Sequence, residues 1–412
     1  MPNDMSDKGA SHLTEVWQAV VADLSARRYG AATPQLALAS SSAAGVVRTH
    51  DGVEVTSKAL LMATLLDVAE NESVCGYAKR FNTSFGQIYL GMDKGPEYDS
   101  QATLVNKAIG ELTESESFNL ALNETRKALS TLNDPAAFNI QDVSDQVLAG
   151  VCTAWFDLPD GDTMQAGGFQ LLLSLVAKAR CPGDFSLPSG YVFTPNPDFL
   201  FVLYGERLGH ILKDAALEFV AKRRAPANPP VGVLSKAIFA AFPKSPEQDD
   251  VLARTVVGVM MGFLPTTSGN LVAAVTGWQK DGTYASLKRQ FANGAEPDLY
   301  LRACAVLLPP LIQAMQLNPT PPAVWRTALR DHVVGGCPVK KGEKVVLSIV
   351  SATRGDLAAK TEDVFPVFGG DRRQTPHPTH ACPGYAAAIG VLLGVLAGLM
   401  IPDAGAHPPS AY

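Results

Sequence analysis

The stretch PHPTHACPGY, Pro376 to Tyr385, sets one cysteine between a histidine and a Pro-Gly pair, and AAAIGVLLGVLAGLM, Ala386 to Met400, follows at once. Pro383 and Gly384 suit the turn that opens a helix, and the uniformly apolar run behind them reads as that helix, buried rather than amphipathic. Such a placement brings the Cys382 sulfur near unpaired backbone N–H groups and the positive end of the helix dipole, which together favour the thiolate. A stabilised thiolate is what a metal ligand or a nucleophile requires. Gly384 leaves room for a flat group beside the backbone, and His380 supplies a donor two residues before the sulfur.

Three chemistries could use that sulfur. A nucleophilic cysteine needs a histidine base, for which His377 and His380 are the candidates, although neighbours in a Pro-broken loop rarely reach triad geometry. A zinc site wants four ligands, and two histidines with one cysteine lack an obvious fourth. A haem iron held by one cysteine needs no partner residue, only a planar slot and shielding. The residues alone leave all three open. Elsewhere Cys75, Cys152, Cys304 and Cys337 read as small buried hydrophobes, and Cys181 lies in a second Cys-Pro-Gly, so the tripeptide by itself carries no signal.

The 412 residues are 47% hydrophobic and 18% charged, which fits a globular protein with a large core. A net charge of −6 without a dense Lys/Arg block argues against a nucleic-acid partner, whose phosphates are held by clustered cations. Six widely spaced cysteines with no C-x-x-C pair, and no signal-peptide pattern, fit a reducing cytoplasm. The run from Ala386 to Ile401 falls short of the roughly 20 residues a membrane span needs, so no span is expected.

Residues 1–13 read as a disordered leader, 14–401 as one mainly helical domain with a small β region, and 402–412 as a flexible tail. Val46-Val47-Arg48 and Val53-Glu54-Val55 flank Asp51-Gly52, a hairpin turn pair, and Ser57 caps the helix that follows. A second β signal runs through VVGGCPVKKGEKVVLSIVSATRGD. The stretch 181–200, with four prolines, reads as a long loop. Tyr204 to Arg224, Asp249 to Trp278 and Pro309 to Leu317 carry helical spacing.

The segment from about Pro321 to Ile401 resembles the C-terminal third of the cytochrome P450 superfamily, the haem-thiolate oxygenases. WRTALRD (Trp325 to Asp331), then GGCPVKKGEKVVLSIVSATRGD, then VFPVFGGDRRQTPHPTHACPG keep that family's order and spacing. Upstream, KGPEYDSQATLVNKAI resembles the start of its third helix, and RTHDGVEVTSKALLMATLLD its first hairpin and second helix. The resemblance implies a P450-like fold over nearly the whole chain and a haem b cofactor. It makes Cys382 the axial thiolate and sets Gly384 two residues after the ligand. His380 and Arg326 become donors to the haem propionates. Arg372 or Arg373 takes the place of the arginine that closes the loop before the cysteine, and Tyr98 stands where the family has a propionate-binding histidine.

The departures from that pattern are as informative. Gln313-Ala314-Met315-Gln316 replaces the family's Glu-x-x-Arg, so two neutral amides stand for a buried ion pair and the lock on the neighbouring loop is expected to be weaker. In the long central helix, Met261-Gly262-Phe263-Leu264-Pro265-Thr266-Thr267-Ser268-Gly269-Asn270 lacks the acid that delivers protons to bound dioxygen. The proline is expected to kink the helix and displace the hydroxyls. Loss of that relay, with an asparagine in the helix, is similar to family members that rearrange fatty-acid hydroperoxides. In them the iron cleaves the peroxide and Asn270 would steer the freed oxygen, although Asn270 could equally satisfy carbonyls freed by the proline. The implied substrate is a lipophilic molecule, a fatty-acid hydroperoxide in particular. Two alternatives are a conventional monooxygenase, fed by a ferredoxin-type partner and using Thr266 or Thr267, and a haem-binding protein without turnover. The family usually continues into a last hairpin over the pocket, so a more open pocket, or one completed by another chain, is expected here.

Overall fold

The strands are, in chain order, β1 (Val46–Thr49), β2 (Gly52–Val55), β3 (Glu72–Ser73), β4 (Ala323–Ala328), β5 (His332–Val334), β6 (Cys337–Val339) and β7 (Lys344–Ser348). Five of them form one sheet in the order β1-β2-β7-β4-β3, so the front of the chain and its last third are joined edge to edge. The β1–β2 hairpin pairs Val46 with Val55, β2 runs parallel to β7, and β7 is antiparallel to β4 with Arg326 opposite Val345. β5 and β6 make a separate ribbon. The computed structural model describes residues 45–401 apart from 50–51, 68–69, 135–136, 159–181 and 198; the expected leader and tail, Asp51 and Cys181 lie outside the described residues.

Around the sheet the chain is helical. The first group is α1 (Lys58–Leu66), α2 (Cys75–Thr83), α3 (Pro96–Gly110), α4 (Glu114–Ser130) and α5 (Ile140–Phe156). Then come α6 (Pro182–Phe193), α7 (Phe199–Arg223), α8 (Val233–Ala241) and α9 (Pro246–Asp281). The last group is α10 (Thr283–Ala292), α11 (Leu299–Val306), α12 (Leu308–Leu317), α13 (Ile349–Ala358) and α14 (Tyr385–Met400).

Three expectations are corrected here. The proline-rich stretch 181–200 is not a long loop, because Pro182–Phe193 is helical, with Pro182 in the first turn, where a missing N–H costs nothing, and Pro188 inside. Tertiary contacts override the proline signal. Phe185, Leu187 and Val192 are buried, and the Arg80 guanidinium donates to the carbonyls of Tyr191 and Val192 at 2.8 and 3.0 Å, satisfying the end of the helix. Likewise the late β signal stops at Ser348, and Ile349 to Ala358 coils into α13, whose first five residues, Ile349 to Thr353, are all buried. Of the four cysteines expected to be core, Cys152 is buried, while Cys75, Cys304 and Cys337 are half-buried because they lie at a helix start, on a short helix and in the two-stranded ribbon.

α14 is buried along nearly its whole length, as its composition demands. Gly390, Gly394 and Gly398 recur every four residues on one face and meet α4, where an added Cβ would collide with the carbonyls of Glu114 and Phe118 and the side chain of Thr125. The two helices therefore approach closely enough to exclude side chains between them. α9 is capped by Ser245, whose side chain accepts from Gln248 N–H, and ends at Gly282 with φ +84°. It is long and apolar enough to cross a membrane by length and composition, but 61% of that apolar window is buried against the rest of the protein, the signature of a core helix.

Candidate functional site

Cys382 lies on the loop that enters α14, held from below by backbone. Its N–H donates to the Phe368 carbonyl at 2.7 Å, at the end of the short 3-10 turn Phe365–Phe368. The loop carbonyls before it are gathered by two side chains. Arg372 donates to Ala381 O at 2.5 Å and Thr379 O at 3.1 Å, and the Tyr98 hydroxyl, from α3, donates to Thr379 O at 2.9 Å. Arg373 instead pairs with Asp371 through two 2.9 Å contacts and lies over the rings of Phe365 and Tyr385. Of the two arginines, Arg372 is the one that shapes the cysteine loop. Tyr98 braces the same loop with the hydroxyl that the resemblance assigns to the cofactor.

The electrostatics at the sulfur differ from the expectation. Burial pushes the Cys382 thiol up, and the Gly384 N–H and the Arg372 charge offset this only in part. Helix start and cation act in the expected direction, but desolvation of the thiolate outweighs them. The protein alone therefore keeps a thiol, and a coordinated metal ion would supply the missing positive charge. A Cβ at Gly384 would stand 3.7 Å from the sulfur, so glycine leaves that side of it uncrowded.

Two side chains that interact with each other, His380 on the cysteine loop and Arg326 on the sheet, each have a buried nitrogen without a partner. His380 is pushed down to about 3, by burial first and then by the Arg326 and Arg372 guanidiniums, with the Met92 backbone opposing. Its imidazole is thus neutral, its ring meets Tyr98 edge-on at 5.5 Å, and its Nε2 is shielded without a hydrogen-bond partner. Arg326, on β4, is 3% exposed; Nη1 donates to the Trp325 carbonyl at 2.9 Å, while Nε is buried without a partner. No carboxylate lies within ion-pair distance of this guanidinium among the described residues. It rests 5.9 Å from the Tyr77 ring, and Tyr77 in turn accepts the Trp325 N–H at 2.8 Å. Sequence reasoning placed Arg326 but missed the Tyr77–Trp325 support, which joins residues far apart in the chain.

The alternatives for the cysteine do not assemble. His377 is exposed and its Nδ1 lies 3.0 Å from the Pro378 carbonyl, and neither histidine is hydrogen-bonded to Cys382 among the described residues. Nor do three or more His, Cys, Asp or Glu side chains gather in a metal-binding group among those residues.

The central helix bears on the expected relay at three points. α9 continues through Pro265 without interruption. The Thr266 hydroxyl is not displaced into a new role: it donates to the Gly262 carbonyl at 2.5 Å, one turn back, while Thr267 is buried. Asn270 is committed on both sides of its amide. Nδ2 donates to Thr266 O at 2.9 Å and Thr320 O at 3.2 Å, and Oδ1 accepts the Thr320 N–H at 3.1 Å. That geometry braces the chain entering β4 and commits both the donor and the acceptor side of the amide to main-chain groups, in line with the structural alternative for Asn270. In place of the Glu-x-x-Arg pair only Gln316 is buried; its Nε2 donates to the carbonyls of Thr361 and Asp363 at 2.7 and 2.9 Å, whereas Gln313 is exposed. One amide, not two, ties α12 to the loop before the cysteine.

No protein-family model and no curated protein matches the chain. Solved structures do. P450 EryK, whose open form is from S. erythraea, bound as a mutant to erythromycin B, superposes with a TM-score of 0.64 at 17% identity, covering 90% of this chain and 88% of that one. P450 RauA, complexed with a biosynthetic intermediate of aurachin RE, gives a TM-score of 0.62 at 16% identity over 89% and 88% of the two chains. P450BioI, bound to an acyl carrier protein ligated with hexadec-9Z-enoic acid, gives 0.59 at 13% identity over 84% of each chain.

A haem with an axial cysteine thiolate is what the sequence resemblance implies, and the residues present can be tested against it. The donor set fits it: one sulfur with glycine beside it, and a shielded imidazole and guanidinium, each with an unpartnered nitrogen that an anionic cofactor edge would satisfy. From the sheet to α14, the chain has the cytochrome P450 fold, with Cys382 on the loop that leads into its last described helix.

Proposed function

We propose that the protein is a haem-thiolate oxidoreductase acting on a lipophilic substrate, with an organic hydroperoxide, a fatty-acid hydroperoxide in particular, as its oxidant. The observation that carries the haem reading is Arg326, a cation 3% exposed with an unsatisfied Nε, acting on the neutral His380 two residues before Cys382. A buried guanidinium without a counter-ion is costly unless an anionic ligand completes it. Cys382 would ligate the iron, while Arg326 and His380 would hold the propionate edge. Arg372 and Tyr98 act one step removed, by fixing the carbonyls of the loop that carries the sulfur. Bound haem supplies the redox chemistry; the chain supplies its ligand, its anchoring and a water-poor wall from α14.

The oxidant reading rests on α9. Pro265 has no ionisable group. No carboxylate stands at that point of the helix to pass protons inward, and a substrate that brings its own O–O bond does not need one. A lipophilic substrate is favoured by the hexadec-9Z-enoic acid carried by the acyl carrier protein bound to one protein of similar fold. The scattered cysteines favour the cytoplasm as the setting.

The second reading is a monooxygenase fed by a ferredoxin-type partner, which the Thr266 hydroxyl at its Gly262 carbonyl favours, because a water held there could relay protons. Turnover of a fatty-acid hydroperoxide by the haem-loaded protein without any electron donor separates the two. Consumption of the hydroperoxide under those conditions supports the first reading. Inert hydroperoxide together with hydroxylation on addition of a redox partner overturns it.

A further inference from the structure

Lys58 opens α1 directly after the Ser57 cap, in a first turn with no acidic residue. A cation at that position faces the positive end of the helix dipole, so helix formation does not select it. Two carboxylates from distant parts of the chain do. Its Nζ lies 2.7 Å from Asp356 Oδ1, near the end of α13, and 2.5 Å from Asp363 Oδ2 in the loop beyond. Asp356 is 7% exposed and its Oδ2 has no partner, so Lys58 is its counter-charge among the described residues.

From Asp363 an unbroken series of contacts leads to the cysteine. Asp363 Oδ1 accepts the N–H of Phe365, the first residue of the 3-10 turn Phe365–Phe368, at 2.8 Å. The carbonyl at the end of that turn, Phe368 O, accepts the Cys382 N–H at 2.7 Å. Gln316 fixes the backbone of the same aspartate through the Asp363 carbonyl at 2.9 Å. A neutral amide thus holds the main chain, and the charge that fixes the side chain comes from α1.

We propose that Lys58 is a positioning residue for Cys382, holding Asp363 and, through it, the turn that anchors the cysteine backbone. The proposal rests on reading Cys382 as the metal-ligating sulfur. It assigns the electrostatic lock of the ligand loop to an element from the front of the chain rather than to α12, whose Gln316 carries no charge.

Amide hydrogen exchange of the purified full chain tests it, in Lys58→Met, Lys58→Arg and Asp363→Asn. Losing a charge-assisted hydrogen bond should speed exchange of the Phe365–Cys382 peptide by about tenfold or more, with α9 and α14 unchanged. Lys58→Arg should restore protection, and haem-loaded Lys58→Met should lose its thiolate-type absorption at a higher pH than the parent. Unchanged local exchange in a folded Lys58→Met, acceleration spread evenly over α9 and α14, or failure of arginine to rescue would each overturn the proposal. Should Lys58→Met fail to fold, Asp363→Asn keeps an acceptor for Phe365 N–H while removing the charge, and faster or unchanged exchange of the same peptide then supports or overturns the proposal in the same way. The underlying reading fails separately: a parent-like spectrum in Cys382→Ser removes the ligand assignment, whereas unchanged exchange in Lys58→Met removes only the positioning.

Discussion

Asn270 and Thr320 form a closed amide–peptide pair, with Nδ2 donating to Thr320 O at 3.2 Å and Oδ1 accepting the Thr320 N–H at 3.1 Å. Both residues are buried, so each lost partner would leave a main-chain group unsatisfied. Asn270→Ala is therefore expected to cost roughly 2–4 kcal/mol of folding stability by denaturant titration. Asn270→Asp should cost at least as much, because it removes the donor and buries a charge. Turnover per folded, haem-loaded molecule should stay within about threefold of the parent for Asn270→Ala, since the effect is on folding. A large loss of turnover without loss of stability would return Asn270 to a chemical role.

Gln316 carries the tie between α12 and the loop that leads to the cysteine, through 2.7 and 2.9 Å bonds to two carbonyls. Gln316→Glu is nearly isosteric yet replaces the donor with a carboxylate facing those carbonyls. It should be more destabilising than Gln316→Ala, which is expected to cost roughly 1–3 kcal/mol. Thermal unfolding of the two variants side by side checks the order. If Gln316→Glu proves the milder change, the amide is not acting as a donor.

The residues that can be read in the sequence share one property: their role follows from local context. Cys382 before Pro-Gly and an apolar helix, the β1–β2 hairpin and the period of α9 are all visible within a few turns of chain. What the sequence misleads on depends on contacts across it. Pro182–Phe193 is helical because Arg80 and a buried apolar face outweigh its prolines, and Ile349–Ala358 coils because the pairing of β7 with β4 ends at Ser348, opposite the first residue of β4. A lowered thiol is the expectation from the helix start, a local feature, whereas the desolvation that outweighs it comes from the whole surround. Nor does any local signal connect Lys58 with Asp356 and Asp363.

Asp145, on α5, faces α9 through Gln141, whose Nε2 lies 2.9 Å from Asp145 Oδ1 and 3.0 Å from Ser268 Oγ. Burial pushes its carboxyl up to about 7, against the hydrogen bonds from Gln141 and Ser268. The folded state thus holds a proton that the unfolded chain releases near pH 4. Between those values the folded state binds more protons, so stability should fall as pH rises from about 4 to 7 and stay low above that. Asp145→Asn removes the titration while keeping the shape. It should leave stability at pH 4 nearly unchanged and raise it at pH 8 by roughly 1–3 kcal/mol. Parallel pH–stability curves for parent and variant would show that Asp145 is ionised in the folded protein.

Arg326 yields opposite predictions with and without cofactor, which makes it the most discriminating position in the site. In the haem-free chain its guanidinium is nearly buried, bonded to one carbonyl and lacking a partner at Nε, so the cation is a cost that Arg326→Met removes. The haem-free variant is expected to match the parent or exceed it by roughly 1–3 kcal/mol in denaturant unfolding. In the haem-loaded protein the same change removes the cation that an anionic cofactor edge would meet. Haem retention, measured by transfer to an excess of an apo-globin acceptor, should then fall by about tenfold or more. Both signs come from one physical fact, a buried guanidinium with an unpartnered Nε and no carboxylate at ion-pair distance among the described residues. A haem-free variant that is strongly destabilised, with haem release unchanged, would mean that Arg326 serves the sheet, through Tyr77 and Trp325, and not the cofactor.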